Sequence, residues 1–203
     1  DIVLVRNDEN GGFGRGNNIA IRYLVENRDD EYTWLLNPDT EVEESVLIDL
    51  ISETEHKKKT ITGNVINYFS DKSKIMYYGG FRVKKYIHGV KGIVSENNIE
   101  KISAITGTCF FTHISTYKEL GLFPEEYFMY WEETDFCTNA KRNGYQFKVN
   151  NKSKIYDHVG SASNTNFLRE YLYLLNGLRY YRKYFPLHLI TIIPSSLLKI
   201  LKA

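Results

Sequence analysis

An α/β protein is predicted by the sequence, because short apolar runs of strand length alternate with helically spaced apolar residues and are separated by Gly-, Asn- and Pro-containing turns. Thr33-Trp34-Leu35-Leu36 has the form of a buried strand, stopped by Asn37-Pro38 and followed by a helical pattern at Val42, Val46, Leu47, Leu50 and Ile51. A Gly- and Asn-rich stretch running into Ile19, Ala20, Tyr23 and Leu24 repeats the motif of loop followed by amphipathic helix. At 203 residues and 42% hydrophobic content the chain can bury one main core and carry an appendage.

The elements follow in chain order. Ile2-Val3-Leu4-Val5 is expected to be a strand buried on both faces of a parallel sheet. Residues 7–18 are expected to form a loop, and the helix at Ile19 comes next. Thr40-Glu41-Val42-Glu43 has the Thr-x-x-Glu form of a capping box before the second helix. Between residues 60 and 105, runs such as 61–65 and 75–78 read as a mixed or antiparallel part of the sheet. Gly107-Thr108-Cys109-Phe110-Phe111 enters another strand, a short helix spans 115–120 with Gly121 as a left-handed cap, and a further helix runs over 132–143 to Gly144. Two strands are expected at 146–149 and 154–157. The spacing of Phe167, Tyr171, Leu174, Leu175, Leu178, Tyr181 and Phe185 predicts an amphipathic helix that Pro186 interrupts. The boundary between a main domain, 1–164, and a helical tail, 165–203, is set near Asn164.

Composition excludes several function classes. With 26 basic and 25 acidic residues the formal charge is +1, which offers no overall attraction for nucleic acid. Cys109 and Cys137 are too few for a disulfide framework and lack zinc-site spacing, which fits a reducing, cytoplasmic setting. The first eight residues lack the pattern of a secretory signal, and without 18 consecutive apolar residues no transmembrane helix is expected.

Four places carry candidate chemistry. Gly11-Gly12-Phe13-Gly14-Arg15-Gly16 precedes a helix, where backbone N–H groups can approach an anion, but it matches neither the dinucleotide nor the P-loop fingerprint and also reads as a tight turn. Asp39 follows a buried strand at the edge where open α/β sheets take ligands, a place for Mg²⁺ or Mn²⁺, or simply a turn residue. Glu132, Glu133 and Asp135 gather at a helix start, where acids also serve as caps. The aromatic run of Tyr127, Phe128, Tyr130 and Trp131 with Met129 directly before them suits a sugar, with rings for its C–H faces and carboxylates for its hydroxyls. His158 follows a strand end and is able to ligate metal or meet a phosphate, although a lone His is more often structural.

Taken in order, these segments resemble the family 2 glycosyltransferases of the rhamnosyltransferase-like group, which have the GT-A fold. The resemblance covers most of the chain from Asp1 to about Lys183. It rests on Asn10-Gly-Gly-Phe-Gly-Arg-Gly-Asn-Asn18, Leu36-Asn-Pro-Asp39, Gly107-Thr-Cys-Phe-Phe111, the stretch 121–137, and His158 with Gly160-Ser161. It implies a GT-A-like mixed, mainly parallel sheet flanked by helices, without the strand-helix-strand unit that usually opens such enzymes, plus an amphipathic tail.

The resemblance also implies the site. Asp39 stands at the family's metal-binding Asp, and His158 at its His near metal and diphosphate. The base motif, usually Glu-Asp-x-Asp, is Glu132-Glu133-Thr134-Asp135 here, so Glu133 takes the place of the Asp base. Asn10, Gly12, Gly14, Arg15, Asn18, Asn37 and Asp39 are the candidate donor-binding residues. The implied partners are a nucleotide-sugar donor and a glycan or lipid-linked acceptor, and the implied reaction is inverting transfer in cell-surface polysaccharide synthesis.

Two other readings compete with it. A nucleotidyltransferase would want a basic nucleotide loop ahead of the acid, and none is found; a non-catalytic glycan-binding or scaffold remnant would keep acceptor binding without donor binding. The tail, with Arg169, Arg179, Arg182, Lys183, Lys199 and Lys202 beside aromatic and apolar residues, is expected to lie peripherally on the inner face of the membrane.

Overall fold

A computed structural model describes residues 2–27, 32–54, 59–158 and 167–200, the last four as backbone. Asn164, Gly160 and Ser161 lie outside the described residues. The helices are α1 (Gly12–Asn27), α2 (Val46–Thr54), α3 (Ser115–Leu120), α4 (Glu132–Arg142), α5 (Phe167–Tyr184) and α6 (Leu189–Ile200). The strands are β1 (Tyr32–Leu36), β2 (Thr40–Val42), β3 (Thr60–Tyr68), β4 (Ile75–Tyr78), β5 (Gly80–Val83), β6 (Val90–Gly92), β7 (Ala104–Ile105), β8 (Cys109–His113) and β9 (Gln146–Asp157).

The main sheet runs β1-β8-β3-β9-β2, with β4 on the far part of β3, and β6-β5-β7 form a small antiparallel sheet. The mixed α/β class is as expected. Parallel pairing is less common than expected: among the described strands only β3 and β9 run parallel, and β1–β8, β3–β8, β2–β9 and β3–β4 are antiparallel. Ile2 to Val5 are not a strand; they have no regular secondary structure and no ladder bonds, and Ile2 is 99% exposed. No described strand lies beside this run, and an unpaired segment has neither ladder bonds nor a face to bury.

Three other expectations change for local reasons. Helix α1 already starts at Gly12 within the presumed loop, because Gly12 takes φ of 82° and its neighbour Phe13 donates its N–H to the Phe128 carbonyl at 3.2 Å. Thr40 to Glu43 is no capping box. Thr40 to Val42 pair with Asp157 to Ile155, the Thr40 hydroxyl donates to the Asn37 carbonyl, and the Glu43 carboxylate is taken by the Lys154 N–H and the Tyr156 hydroxyl. The strands at 146–149 and 154–157 are one strand, β9, with its register against β3 shifted between Asn64 and Val65 so that Lys154 follows Asn150 in the pairing. There Asn64, Asn150 and Ser153 form a buried knot of hydrogen bonds that holds the extra residues.

Two layers of side chains pack the sheet. Ile21, Ile61, Ile105, Phe110, Phe123, Phe136 and Ala140 join the sheet to α1 and α4, and Val46, Leu50, Ile66, Phe111 and Ile155 join the other face to α2. Each buried Phe or Ile of this kind contributes about 1.5–3 kcal/mol. Gly121 closes α3 with φ of 84°, but its ψ of −169° lies outside the left-handed helical well; Gly144, at φ of 84°, follows α4. Tyr127, Trp131, Tyr180, Tyr181 and Ile192 form a third, mostly aromatic cluster, which fixes α5 and α6 against the loop before α4.

Candidate functional site

The loop before α4 is the strained part of the chain. Tyr130 and Trp131, neither of them Gly, have φ of 67° and 79°, a conformation costing about 1–3 kcal/mol per residue unless the surroundings enforce it. The α5 helix enforces it. Trp131 is buried against Tyr173, Tyr180, Tyr181 and His88, its indole N–H donates to the Tyr173 carbonyl at 2.9 Å, and Asn176 donates to the Met129 carbonyl at 2.8 Å. Gly177 permits this approach, since a Cβ there would lie 2.1 Å from His88 Nε2.

The strained turn delivers Glu132 and Glu133 into the protein as α4 begins. Glu132 is buried and Glu133 half-buried, and one oxygen of each carboxyl is buried without a protein partner. Burial raises the pKa of both; the charge of Glu133 raises Glu132 further, whereas N–H groups at the helix start pull Glu133 back. The pair therefore holds a proton well above the usual carboxylate range. Asp135 is placed differently: it accepts from Tyr127 Oη at 2.8 Å, Tyr184 Oη at 2.7 Å and Lys183 Nζ at 2.9 Å to both oxygens. Those contacts occupy both oxygens and make Asp135 an anchor between α4 and α5.

The Gly-rich segment is bound to this loop. A Cβ on Gly12 would come within 1.8 Å of the Phe128 carbonyl oxygen, and a Cβ on Gly14 would lie 3.7 Å from the Cβ of Glu132. Asn10 Oδ1 accepts the Gly12 N–H at 3.1 Å, a turn contact. Asn18 is fully buried, with its amide bonded to both the N–H and carbonyl of Phe123 and to Glu125. Its side chain joins α1 to the segment ahead of the strained loop and has no face toward solvent. Arg15 is exposed, 3.6 Å from Glu9.

A second group of residues gathers where β1, β2 and β9 end. The His158 N–H donates to the Asp39 carbonyl at 3.2 Å, Phe69 stacks on the His158 ring at 3.5 Å between centroids, and His158 Nε2 is 3.6 Å from Glu41. Asp157 has its pKa raised by burial and by the charge of Asp39. Asn37 is tied to Thr108 through its N–H and its side chain. Among the described residues no group of three His, Cys, Asp or Glu side chains is arranged to hold a metal ion, so an ion at Asp39 would need oxygens from a ligand such as a diphosphate.

Tyr77 packs, half-buried, against the cluster of Val46, Leu50, Ile66 and Phe111. Burial raises the pKa of its phenol, and the charges of Asp157 and Glu133 add to the rise. Sequence reasoning missed Tyr77 and Asp157. Asp157 had a signal in its position beside His158, whereas Tyr77 had none, because the β3–β4 pairing that brings it in is not visible in a run of apolar residues.

No protein-family profile matches the chain. It is 27% identical over 146 residues to the low-salt glycan biosynthesis hexosyltransferase Agl10 of Haloferax volcanii, a match covering 70% of this chain and 47% of that protein. It is 29% identical over 150 residues to the rhamnosyltransferase WbbL of Escherichia coli K12, covering 66% of this chain and 55% of the relative. The chain thus spans about half the length of the curated relatives it matches. Its fold is shared with the crystal structure of GalNAc-T7 with UDP, GalNAc and Mn²⁺ at a TM-score of 0.60 and 15% identity, over 75% of this chain and 31% of that one. By sequence the chain is similar to a glycan hexosyltransferase and a rhamnosyltransferase, and by architecture it has the GT-A fold.

Proposed function

We propose that this chain carries the transfer site of an inverting glycosyltransferase that moves a sugar from a nucleotide diphosphate donor to a glycan or lipid-linked acceptor in cell-surface polysaccharide synthesis. The observation that supports this reading is the pair Glu132 and Glu133, held at the end of a strained loop with one oxygen of each carboxyl buried without a protein partner. A buried carboxylate with an oxygen left over suits a base for an attacking hydroxyl, and Asp39 with His158 and Asp157 beside it suits a leaving diphosphate. A nucleotidyltransferase would have no evident use for this buried acid pair.

In the reaction, Glu133 takes the proton of the acceptor hydroxyl as its oxygen bonds to the anomeric carbon. The bond from that carbon to the donor's phosphate oxygen breaks, and the electron pair leaves with the nucleoside diphosphate. Glu132, further buried, retains its proton and sets the field around Glu133. Asp39 is the residue to hold Mg²⁺ or Mn²⁺, with His158 and Asp157 beside it; hard oxygens with one imidazole fit either ion. When bound, the ion offsets charge on the departing diphosphate. Asn37, through Thr108, fixes the turn that carries Asp39. Asn10, Gly12 and Gly14 shape the turn below the acid pair, and Asn18 holds it in place. Arg15, exposed nearby, is free to meet donor phosphate if Glu9 releases it. Domains are proposed as 1–164 for transfer and 165–203 for a helical tail that also supports the strained loop.

No helix among the described residues is long and apolar enough to cross a membrane, and we place the enzyme in the cytoplasm, peripherally on the inner face of the cell membrane, where a lipid-linked acceptor would be met. The test is transfer of labelled sugar from a panel of nucleotide sugars by the full-length protein. Hydrolysis or transfer of a nucleotidyl group in place of sugar would overturn the assignment.

A further inference from the structure

Two of the cations expected to hold the tail on a membrane, Lys183 and Arg179, bond to the protein, and Lys202 and the side chain of Lys199 lie outside the described residues. Lys183 is bonded to Asp135, and Arg179 donates to the Glu126 carbonyl and to Asn176. A different basic surface lies on the small sheet. Arg82 on β5 stands directly opposite Lys91 on β6, a cross-strand pair of like charges, which costs stability unless something offsets it. With Lys84, Lys85, Tyr86 and Lys101 they line a cleft of about 680 Å³. Among the described residues, Arg82, Lys84, Lys85 and Lys91 form no salt bridge.

Apolar side chains continue this surface. Tyr86 and Ile87, at the hairpin tip, are 61% and 53% exposed, and across from them Leu187 and Ile190 are 86% and 81% exposed. The two elements are joined by ring contact of Tyr86 with His188, which itself stacks on Phe185. The hairpin's inner side is anchored: His88 packs against Trp131, and the Tyr181 hydroxyl donates to the Lys84 carbonyl at 2.7 Å.

We propose that the β5–β6 hairpin, with Leu187 and Ile190 beside it, seats this protein on an anionic lipid bilayer, cations meeting headgroups and apolar side chains entering the interface. Charge complementarity selects this occupant: a surface combining unpaired cations with exposed aromatic and aliphatic side chains fits the headgroup region of an acidic membrane. The inference deepens the peripheral-membrane part of the reading above and is independent of the transfer chemistry. Because His88 and Trp131 connect the hairpin to the turn before Glu132, the seated face and the acid pair are held by one aromatic cluster.

The test is co-sedimentation of the full chain with phosphatidylcholine vesicles, with and without phosphatidylglycerol. Wild type is expected on the acidic vesicles, weakened by added salt. Lys84→Glu/Lys85→Glu should lower partitioning by about 25-fold or more, at about fivefold per cation, whereas Lys118→Glu/Lys141→Glu, the same change elsewhere, should leave it close to wild type. Leu187→Ser/Ile190→Ser should lower it at every salt concentration. Lys91→Glu places opposite charges across the β5–β6 pair, so it should raise the melting temperature while weakening vesicle binding, a combination that a merely structural lysine would not give. Failure of wild type to bind either vesicle overturns the membrane reading itself. Binding unaltered by the hairpin variants overturns this surface alone, as does full displacement by soluble glycerol phosphate, which would mark the cleft as a site for a free phosphate.

Discussion

Lys183 reaches from the last turn of α5 to place its ammonium 2.9 Å from both carboxylate oxygens of Asp135, near the start of α4. Asp135 is buried, Lys183 is about half exposed, and Tyr127 and Tyr184 supply the other two hydrogen bonds. This contact ties the tail helix to the helix that carries the acid pair. Removing the buried partner strands two tyrosine hydroxyls and an ammonium, so Asp135→Ala should cost about 3–5 kcal/mol. Lys183→Met, whose lost charge is partly solvated, should cost only about 1 kcal/mol. Thermal unfolding of the two variants checks the ordering, and equal losses would mean that Asp135 contributes nothing beyond one surface ion pair.

Gly12 is required by two constraints at once, a φ of 82° and a Phe128 carbonyl 1.8 Å from where a Cβ would lie. Gly12→Ala should therefore destabilise by about 3 kcal/mol or more, since positive φ and displaced backbone each add strain. Gly16, with open space around its Cβ position, is the comparison. Gly16→Ala, inside α1, should stabilise by about 0.5–1 kcal/mol. Urea denaturation of both variants tests whether the Gly-rich motif is built around the Phe128 contact or around flexibility in general.

Helices were legible where one face carried the whole signal, as with α4, whose Phe136 and Ala140 are both buried, and α5, stopped by Pro186. Strand partners were less legible. The run Ile2 to Val5 has the composition of a buried strand, but burial requires a neighbour, and that is a property of the fold rather than of four residues. Thr40 to Glu43 fits a capping box by spacing alone; pairing with β9 supplied better partners for the same groups. At the site, the acids of the 132–135 segment were visible as letters, but their different surroundings were not. Periodicity does not indicate that Lys183, 48 residues away, occupies Asp135.

Asp39 is proposed as the residue that holds a divalent cation with help from a diphosphate. Asp39→Ala should then weaken Mn²⁺ binding in the presence of nucleoside diphosphate by about tenfold or more. His158→Ala should have a smaller effect, because its ring is also held by Phe69 and lies near Glu41. Isothermal titration of Mn²⁺ reads this without reference to turnover. Unchanged affinity in Asp39→Ala, or undiminished transfer in excess chelator, would remove the ion from the mechanism.

The acid pair makes stability and activity depend on pH in opposite directions. Glu132 and Glu133 have folded-state pKa values above those of the unfolded chain, mainly because burial penalises their charge. The folded state therefore binds more protons, and stability contributed by the protonated pair is fully present below the usual carboxylate pKa and is lost as pH rises through the raised values. Activity requires the ionised base, so the acid limb of kcat/KM should lie above the ordinary carboxylate range of about 4.3. Glu133→Gln removes the base and should lower transfer by about 100-fold or more with donor binding nearly unchanged. Glu132→Gln leaves the base and replaces a protonated carboxyl with a neutral amide, so the acid limb should stay close to its wild-type position, while the protein should gain about 1 kcal/mol at alkaline pH, where Glu132 would otherwise have to ionise. The measurements are pH profiles of kcat/KM and of thermal stability for the same three proteins. A Glu133→Gln enzyme that transfers at the wild-type rate while Glu132→Gln is inactive would assign the base to the deeper carboxylate, and an acid limb displaced to lower pH in Glu132→Gln would show that Glu132 is already ionised beside the base.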